Sequence, residues 1–254
     1  MNSISGDLYN KLFRSRVLSG SEAFLSAYKG DLMKLFYVLP KSSGYSKIDD
    51  LYLNKRKKLE CIQNISGFSS HNLIYPKELY SVYNQFGSYT IPDRRDLSTL
   101  YGAKIRGVTR KIEILKGYRR ILDYFHEQNI VFGDIKFNNM LLSSSGNIMG
   151  FCDLDNIMIG ELPIDIMPRC SRYFCSKYGK VDYNLDSFMF NFLTLEYLLG
   201  ICSPNFEEVF DFLDLNVVPN FSLNMDKVKV KSIFNELKNV DSNYSGSYII
   251  DYIK

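Results

Sequence analysis

The chain has 254 residues, 46% of them hydrophobic and 15% aromatic, which is enough to bury a core in one domain or in two closely packed lobes. The 31 basic and 28 acidic side chains leave a net charge of +3, a balance that argues against a nucleic-acid partner. The five cysteines form no Cys-x-x-Cys pair and the two histidines add no metal-binding pattern, so we expect a reduced, cytoplasmic protein without structural zinc.

The start of the chain and its apolar segments give no sign of membrane insertion. Residues 1–16 carry charges and no apolar core, so we expect no signal peptide. The most apolar segment, 188–202, is interrupted by Asn191, Thr194 and Glu196 and is too short to cross a bilayer. We therefore expect no membrane span and interpret this segment as a buried helix.

Strands dominate the prediction for the first third of the chain, because short apolar segments alternate there with turn residues. One helix interrupts them, since Ile48, Tyr52, Leu59 and Ile62 recur at helical spacing. The predicted strands cover residues 13–19, 22–29, 32–39, 73–83 and 88–91, and a serine-rich loop covers 40–45.

Helices dominate the prediction for the remainder, so the fold class is α+β. The polar residues 92–96 form the best candidate for a linker between the two parts. The predicted elements that follow are a long amphipathic helix over 105–125, two strands at 140–142 and 148–152, an irregular stretch at 156–182, a buried helix at 186–199 and a helix at 227–238.

The residues between 131 and 155 carry the chemistry that the sequence predicts. Asp134, Lys136 and Asn139 lie on a predicted loop, and Asp153 follows the predicted strand pair. One acid can take a proton from a hydroxyl group, while an amide and a second acid can hold magnesium beside a nucleotide phosphate. This spacing is typical of the phosphoryl-transfer sites of protein kinases.

On these residues the chain resembles the protein kinase family, in a divergent form, and the resemblance covers nearly all of its length. Leu32-Met33-Lys34-Leu35 is similar to the Val-Ala-Ile-Lys strand of kinases. Phe125-His126 and Ile130-Val131 match the usual approach to the catalytic loop. The resemblance implies one kinase-like domain over 1–254, with a small antiparallel β lobe at 1–91 and a mainly helical lobe at 92–254.

The resemblance also implies the role of each residue in the catalytic loop. Asp134 would accept or orient the proton of the substrate hydroxyl, and Lys136 would steady the transferring phosphoryl group. Asn139 and Asp153 would bind Mg²⁺, or Mn²⁺ in its place. Asp186 has the position of the acid that begins the central helix of the large lobe and anchors the backbone of the catalytic loop.

A second set of residues would bind ATP by the same resemblance. Lys34 would hold the α and β phosphates, and Glu60 would aim Lys34, with Asp49 or Asp50 as alternatives. The remaining nucleotide-binding residues that the resemblance implies are Ser19, Gly20, Ile91 and Asp93.

The chain departs from the family pattern at several motifs. Of the glycine-rich loop only Gly20 remains, and bulkier side chains at the other glycine positions would lower affinity for ATP. The His-Arg-Asp triplet reads Phe132-Gly133-Asp134, so a phosphorylated loop would lack its arginine partner. Asp-Phe-Gly reads Asp153-Leu154-Asp155, and no Ala-Pro-Glu occurs near residues 169–179.

The function that we predict is ATP-dependent phosphorylation of Ser or Thr in a protein or peptide substrate. Ser171, Tyr173 and Ser176 are candidate autophosphorylation sites, because they occupy the activation-segment position. Two alternatives stay open. One is a small-molecule phosphotransferase of the aminoglycoside or choline kinase type, and the other is a pseudokinase that binds nucleotide as a scaffold.

Overall fold

A computed structural model describes residues 2–19, 22–37, 46–83, 85–94, 96–199 and 224–254. The predicted loop at 40–45, the predicted nucleotide-binding Gly20, and Cys202 lie outside these residues. The described chain is a mixed α+β structure, in which a mostly antiparallel sheet comes first and most of the helices follow. None of the helices described is both long and apolar enough to cross a membrane.

Six strands form one sheet in the order β1-β5-β6-β4-β3-β2. β1 pairs in parallel with β5, and the other pairs are antiparallel. A tight turn at Lys29-Gly30, with φ of 51° and 84°, joins β3 to β4. The pairing of β4 with β6 sets Lys34 opposite Tyr89. The strands are β1 Asn2–Ile4, β2 Leu18–Ser19, β3 Ala23–Tyr28, β4 Asp31–Phe36, β5 Leu79–Val82 and β6 Gln85–Pro92.

The predicted strand at 13–19 is wrong over its first part, because helix α1 (Gly6–Arg14) ends there. Ser5 caps this helix by accepting a hydrogen bond from the Leu8 amide at 3.2 Å, and the charges of its first and last turns suit the helix dipole. The predicted helix after residue 48 is confirmed as α2 (Ser46–Asn64), and a short α3 (Phe68–His71) follows it.

The C-terminal part confirms most of the predicted elements within a few residues. Its helices are α4 Val108–Glu127, α5 Arg169–Tyr178, α6 Tyr183–Leu199 and α7 Lys227–Lys238. Its strands are β7 Ser98–Thr99, β8 Ile130–Val131, β9 Met140–Leu142, β10 Ile148–Phe151 and β11 Met158–Ile159. Short 3₁₀ helices cover Phe137–Asn139, Leu154–Asn156 and Ile249–Tyr252.

The prediction of an irregular stretch over 156–182 is wrong at α5. The buried side chains of this helix pack on α6, where the ring centroids of Phe174 and Phe188 lie 5.1 Å apart. Gly179, with a φ of 92°, ends the helix. Its polar composition hides the helical pattern, because few of its side chains face the core.

Two strand pairings bring the loops of the C-terminal part together. β9 and β10 form an antiparallel hairpin, so the chain that leaves the Asp134 loop returns directly to Asp153. β8 and β11 pair on the far side of the same loops. Asp134 and Asp153 therefore lie on adjacent loops, although 18 intervening residues separate them in the sequence.

Asn72 joins the sheet part to this hairpin through a buried side chain. Its Nδ2 donates to the carbonyl oxygens of Ile74 and Phe151, at 2.6 and 3.0 Å, and its Oδ1 accepts from the Phe151 amide at 2.5 Å. The close approach requires glycine at 150, since a Cβ there would lie 1.9 Å from the Asn72 Oδ1. The segment after α3 is thus hydrogen-bonded to β10.

We expect Asn72→Ala to lower the free energy of unfolding by about 2–4 kcal/mol, because it leaves buried backbone groups of Ile74 and Phe151 without partners. Urea denaturation followed by circular dichroism measures the change. Gln63→Ala is the control, since the exposed amide of Gln63 also binds backbone carbonyls, of Pro76 and Lys77. Equal losses in the two variants would contradict a special role for the buried bridge.

Candidate active site

A cleft of about 500 Å³ opens between the sheet and the loops that follow β8 and β10. The sheet contributes apolar side chains together with Lys34 and Tyr89, and the loops contribute mostly polar ones, a mixture that is usual for small-molecule sites. The predicted site residues that line the cleft are Lys34, Ile91, Asp134, Lys136, Asn139 and Asp153. Its other lining residues include Leu18, Glu22, Ala23, Leu25, Tyr89, Cys152 and Asp155.

The Asp134 loop is held by hydrogen bonds between its own residues. Oδ2 of Asp134 accepts from Lys136 Nζ at 2.7 Å and from Asn139 Nδ2 at 3.0 Å. Asn139 also donates to the Asp134 carbonyl at 3.0 Å, and its side chain is buried. The amide nitrogen of Asn139 is therefore engaged on the Asp134 side, which turns its oxygen toward Cys152 and the Asp153 loop.

The pKa of Asp134 is raised from its ordinary value. Burial is the largest cause, since it disfavours the charged carboxylate. The ammonium of Lys136 and the amide of Asn139 act in the opposite direction and limit the rise. The result is a carboxylate that is a better proton acceptor than an exposed aspartate.

Asp186 anchors the backbone just before Asp134, as predicted. Its Oδ2 accepts from the Phe132 amide at 2.8 Å, and its Oδ1 accepts from the Gly133 amide at 2.7 Å. His126 contacts the same carboxylate at 3.0 Å through Nε2. Gly133 has a φ of 69°, and a Cβ there would lie 2.1 Å from Ile164 Cδ1, so the loop requires glycine at this position.

Ser171 holds the other side of the same glycine. Its hydroxyl donates to the Gly133 carbonyl at 2.8 Å, and the side chain is fully buried. A kinase acting on the folded chain would have no access to this hydroxyl, so its burial argues against Ser171 as an autophosphorylation site. Of the other two candidates, Tyr173 is partly buried, and the exposed Ser176 lies within α5.

Asp153 reaches the cleft from a strained position in the backbone. Its φ of 62° lies in the left-handed region, which aspartate tolerates better than most side chains. Its Oδ1 accepts from Lys34 Nζ at 2.9 Å, while 45% of its side chain remains exposed. The carboxylate is thus presented to the cleft and is only partly engaged.

Asp155 is the residue of the site that the sequence interpretation missed. Its carboxylate accepts hydrogen bonds from Lys34 Nζ at 2.6 Å, Lys55 Nζ at 3.0 Å and the Tyr89 hydroxyl at 2.8 Å. Only 3% of its side chain is exposed. The sequence carried one signal, since Asp155 follows Asp153 after a single apolar residue. However, the spacing of Asp153 and Asp155 in the sequence does not show which of the two aspartates is buried.

The charges of this cluster shift one another's pKa values. Burial alone would raise the pKa of Asp155, but Lys34 and Lys55 outweigh it and hold that pKa well below its ordinary value. Burial alone would lower the pKa of Lys34, but Asp155, Tyr89 and Asp153 raise it well above the usual range. Lys55 follows the same pattern through Asp155 and Glu22. All three groups are therefore charged at neutral pH.

The predicted pairing of Glu60 with Lys34 is wrong. Glu60 accepts from Arg56 Nε at 2.7 Å within α2, and 40% of its side chain is exposed. The face of α2 that is directed at the cleft presents Lys55 instead, because five positions at 3.6 residues per turn place the side chains of Lys55 and Glu60 about 140° apart around the helix axis. Of the alternatives, Asp50 is exposed, and the side chain of Asp49 lies outside the described structure.

The remaining predicted nucleotide-binding residues lie in different places. Ile91 is on β6, where it pairs with Leu32, and it lines the cleft. Ser19 ends β2 and is exposed, with its hydroxyl accepting from Arg16 Nε at 2.9 Å. Asp93 follows β6 and is partly buried. Gly20 lies outside the described residues.

Taken together, the cleft holds the carboxylate of Asp134 with its raised pKa, the lysines Lys34 and Lys136, and further oxygen-bearing side chains that include Asn139, Asp153 and Asp155. Such a set can accept a proton, neutralise phosphate oxygens and offer hard ligands to a cation. Among the described residues, no group of three or more His, Cys, Asp or Glu side chains is arranged to hold a metal on its own. No model of a known protein family matches the chain, and no curated protein matches it.

We expect Asp155→Asn to lower the free energy of unfolding by about 3–5 kcal/mol, because it removes the buried carboxylate that Lys34 and the buried Lys55 share and leaves them only their more exposed partners. Glu60→Gln is the matched control and should cost less than about 1 kcal/mol, since its ion pair is exposed. Urea denaturation at pH 7 measures both. Equal losses would show that the buried cluster does not contribute as the contacts indicate.

The same variant should change how stability depends on pH. The pKa of Asp155 is depressed in the folded protein, so its contribution is present above the unfolded value of about 4 and is lost as pH falls below it. Denaturation between pH 7 and pH 2.5 should show a shallower acid loss in Asp155→Asn than in the wild type. An identical slope would mean that the pKa of this carboxylate is the same in the folded and unfolded states.

Proposed function

We propose that this chain transfers the γ-phosphoryl group of ATP to a hydroxyl group, as a divergent protein with a bilobal, protein-kinase-like fold. The observation that carries the proposal is the joint placement of Lys34, Asp134, Lys136, Asn139 and Asp153 around one cleft. Each of these residues alone has an ordinary structural explanation. Their convergence from β4 and two separate loops does not follow from packing alone.

The architecture supports the proposal. A sheet carries the lysine, helices carry the loops, and the cleft lies between them. These groups also follow one another along the chain in an order similar to that of kinases. Lys34 comes first, Asp134 and Asn139 follow, and Asp153 comes after a hairpin. Asp186 adds the loop anchor that the resemblance implies.

The residues divide the reaction among themselves. Asp134 is hydrogen-bonded and has a raised pKa, so it can orient the attacking hydroxyl and accept its proton. Lys136 donates a hydrogen bond to Asp134, so its ammonium would be near the transferred group and could compensate developing charge there. Lys34 binds the phosphates from the sheet side. Catalysis is then mostly positioning and electrostatic stabilisation.

Asn139 and Asp153 fit a magnesium ion. The amide nitrogen of Asn139 is engaged by Asp134, which leaves its oxygen for a cation, and Asp153 is partly exposed to the cleft. Mg²⁺ is commonly bound by one or two protein ligands together with substrate phosphates. When bound, it would neutralise phosphate charge. Mn²⁺ has the same ligand preference.

The acceptor in the first form of the proposal is a Ser or Thr hydroxyl of a protein or peptide, because Lys136 follows Asp134 by two residues as in protein kinases of that class. One observation favours a second acceptor class, a small molecule. The segment between Asp153 and α6 is held to the rest of the structure at several points. Asp165 accepts a hydrogen bond from Lys58 at 2.7 Å, and the side chain of Asn156 makes two hydrogen bonds with the backbone of Ile166. The buried Ser171 donates to the Gly133 carbonyl. Little of it is free to bind an extended peptide.

We expect Asp134→Asn to abolish phosphoryl transfer while the fold stays intact. The amide has nearly the same size as the carboxylate and can still form hydrogen bonds, but it cannot accept the proton. The purified chain is incubated with Mg-ATP and its intact mass is measured, beside an ATP-consumption screen over protein, peptide and small-molecule hydroxyl acceptors. Loss of at least about 100-fold in rate is expected.

The control is Asn138→Ala, a neighbouring cleft residue to which we assign no role, with circular dichroism to establish folding of each variant. Transfer by Asp134→Asn within a few-fold of the wild type would exclude Asp134 as the base. Thermal stabilisation of the wild type by Mg-ATP without transfer to any acceptor would replace the proposal with the pseudokinase scaffold.

The pH profile gives an independent check. Burial raises the pKa of Asp134, so the proton-accepting carboxylate is present above that pKa and lost below it. We expect kcat/KM to fall about tenfold per pH unit below the pKa, which lies above the ordinary value of about 4. Initial rates from about pH 3 to pH 8, a range that reaches below the ordinary value of about 4, measure it. A flat profile across that range would count against a proton-accepting role.

A further inference from the structure

We propose that Asp155 is the residue that positions Lys34 for the phosphates, and that Lys55 of α2 acts through Asp155 to keep the cluster positively charged. The inference rests on the proposed function, because it concerns how the same cleft receives a phosphate group. Neither residue was assigned a role from the sequence. Lys55 would be a positioning residue, since it contacts Asp155 and not the reacting atoms.

The contacts show that Lys34 has two carboxylate partners of different kinds. Asp153 contacts it at 2.9 Å from a side chain that is 45% exposed, whereas Asp155 contacts it at 2.6 Å from one that is 3% exposed. An exposed carboxylate can exchange a lysine for another cation at low cost, because water screens and solvates it. A buried carboxylate cannot leave its lysine without a large desolvation penalty. Asp155 is therefore the permanent partner.

Lys55 explains why a permanent carboxylate does not cancel the charge of Lys34. Its ammonium is 1% exposed and lies 3.0 Å from the second oxygen of Asp155. The buried set of Lys34, Lys55 and Asp155 thus carries one excess positive charge. In the described structure, Asp153 and the partly exposed Glu22, which is 3.4 Å from Lys55, bring two negative charges against that single excess charge. Once a cation engages Asp153, Glu22 alone opposes the excess charge, and it does so at Lys55, so the ammonium of Lys34 is left facing the cleft, where it favours a phosphate group.

The position of the cluster is also held from outside the cleft. Tyr89 donates its hydroxyl to Asp155 from β6, the strand next to Lys34. One turn beyond Lys55, Lys58 makes a buried ion pair with Asp165 at 2.7 Å. α2 is therefore attached to the segment after Asp153 at two points, and both attachments are lysines that bind aspartates. This arrangement keeps the ammonium of Lys55 directed at Asp155.

A competing explanation is that Asp155 is itself a metal ligand and that Lys55 is only structural. The two explanations differ in what the variants change. A metal ligand alters the magnesium concentration needed for half-maximal activity. A positioning carboxylate alters kcat and leaves that concentration unchanged, and a charge-balancing lysine alters affinity for phosphate-bearing ligands and leaves affinity for adenosine unchanged.

The test compares wild type, Asp155→Asn, Lys55→Met, Lys55→Arg and the double variant Lys55→Met with Asp155→Asn. Arg56→Met is the control on α2, because Arg56 pairs with Glu60 on the exposed face. Each is assayed for kcat, KM for ATP and magnesium dependence, and for the Kd of ADP and of adenosine by titration calorimetry. Thermal melting establishes that each variant folds.

We expect Asp155→Asn to lower kcat roughly 100-fold with unchanged magnesium dependence. Lys55→Met should weaken ADP binding roughly tenfold without affecting adenosine, and Lys55→Arg should restore most of it. The double variant is the control for destabilisation, because it removes Lys55 together with Asp155 and so leaves no ammonium at position 55 without its carboxylate. It should melt at a higher temperature than Asp155→Asn and still have low kcat.

Several results would overturn the inference. They are a raised magnesium requirement in Asp155→Asn, equal weakening of ADP and adenosine in Lys55→Met, or variants that match Arg56→Met in every readout. Its failure can be told apart from that of the proposed function. If the wild type transfers no phosphate to any acceptor, the proposed reaction fails, whereas the ADP and adenosine affinities still decide whether Lys55 sets the charge of a phosphate site.

Discussion

The buried carboxylate of Asp155 is the interaction on which the arrangement of the cleft depends. It binds Lys34 from β4, Lys55 from α2 and Tyr89 from β6, and it lies on a 3₁₀ turn of the C-terminal part. Four elements that are distant in sequence therefore share one charged group. A buried ion cluster is weak evidence of net stability, because desolvation offsets much of the attraction. Its clearer physical consequence is geometry, since Lys34, Lys55 and Tyr89 must converge on one carboxylate.

The Asp134 loop is held by different means. Gly133 is bound on its amide side by Asp186 of α6 and on its carbonyl side by Ser171 of α5. Its positive φ excludes ordinary side chains, and Ile164 occupies the space where a Cβ would lie. The loop is thus ordered by buried backbone contacts before any ligand binds. Because the backbone of this loop is already ordered, little further conformational entropy is lost when a ligand binds, and the site is in this sense preorganised.

The polar residues of the cleft fall into two groups by exposure. Asn139 and Asp155 are buried and have defined partners, so they hold other groups in place. Asp153 and Glu22 are partly exposed and pair with lysines that also have a buried partner. The second group can exchange partners when a cation or a phosphate enters. This division between fixed and exchangeable charges is what the proposed reaction requires, because charge must be compensated as it moves.

The sequence by itself determined the α+β class, most of the helices and strands after residue 100, and the residues of the Asp134 loop, because these depend on local spacing and periodicity. It also predicted the loop-anchoring role of Asp186. It did not reveal α1, whose end falls in an apolar segment that reads as a strand, or α5, whose pattern is mostly polar. Only the tertiary structure decided the partner of Lys34. Glu60 and Lys55 lie on the same helix, and which of them is directed at the cleft depends on how α2 rotates about its axis when it packs on the sheet. Burial then made Asp155 the acceptor, and burial is a property of the assembled fold that no local pattern contains.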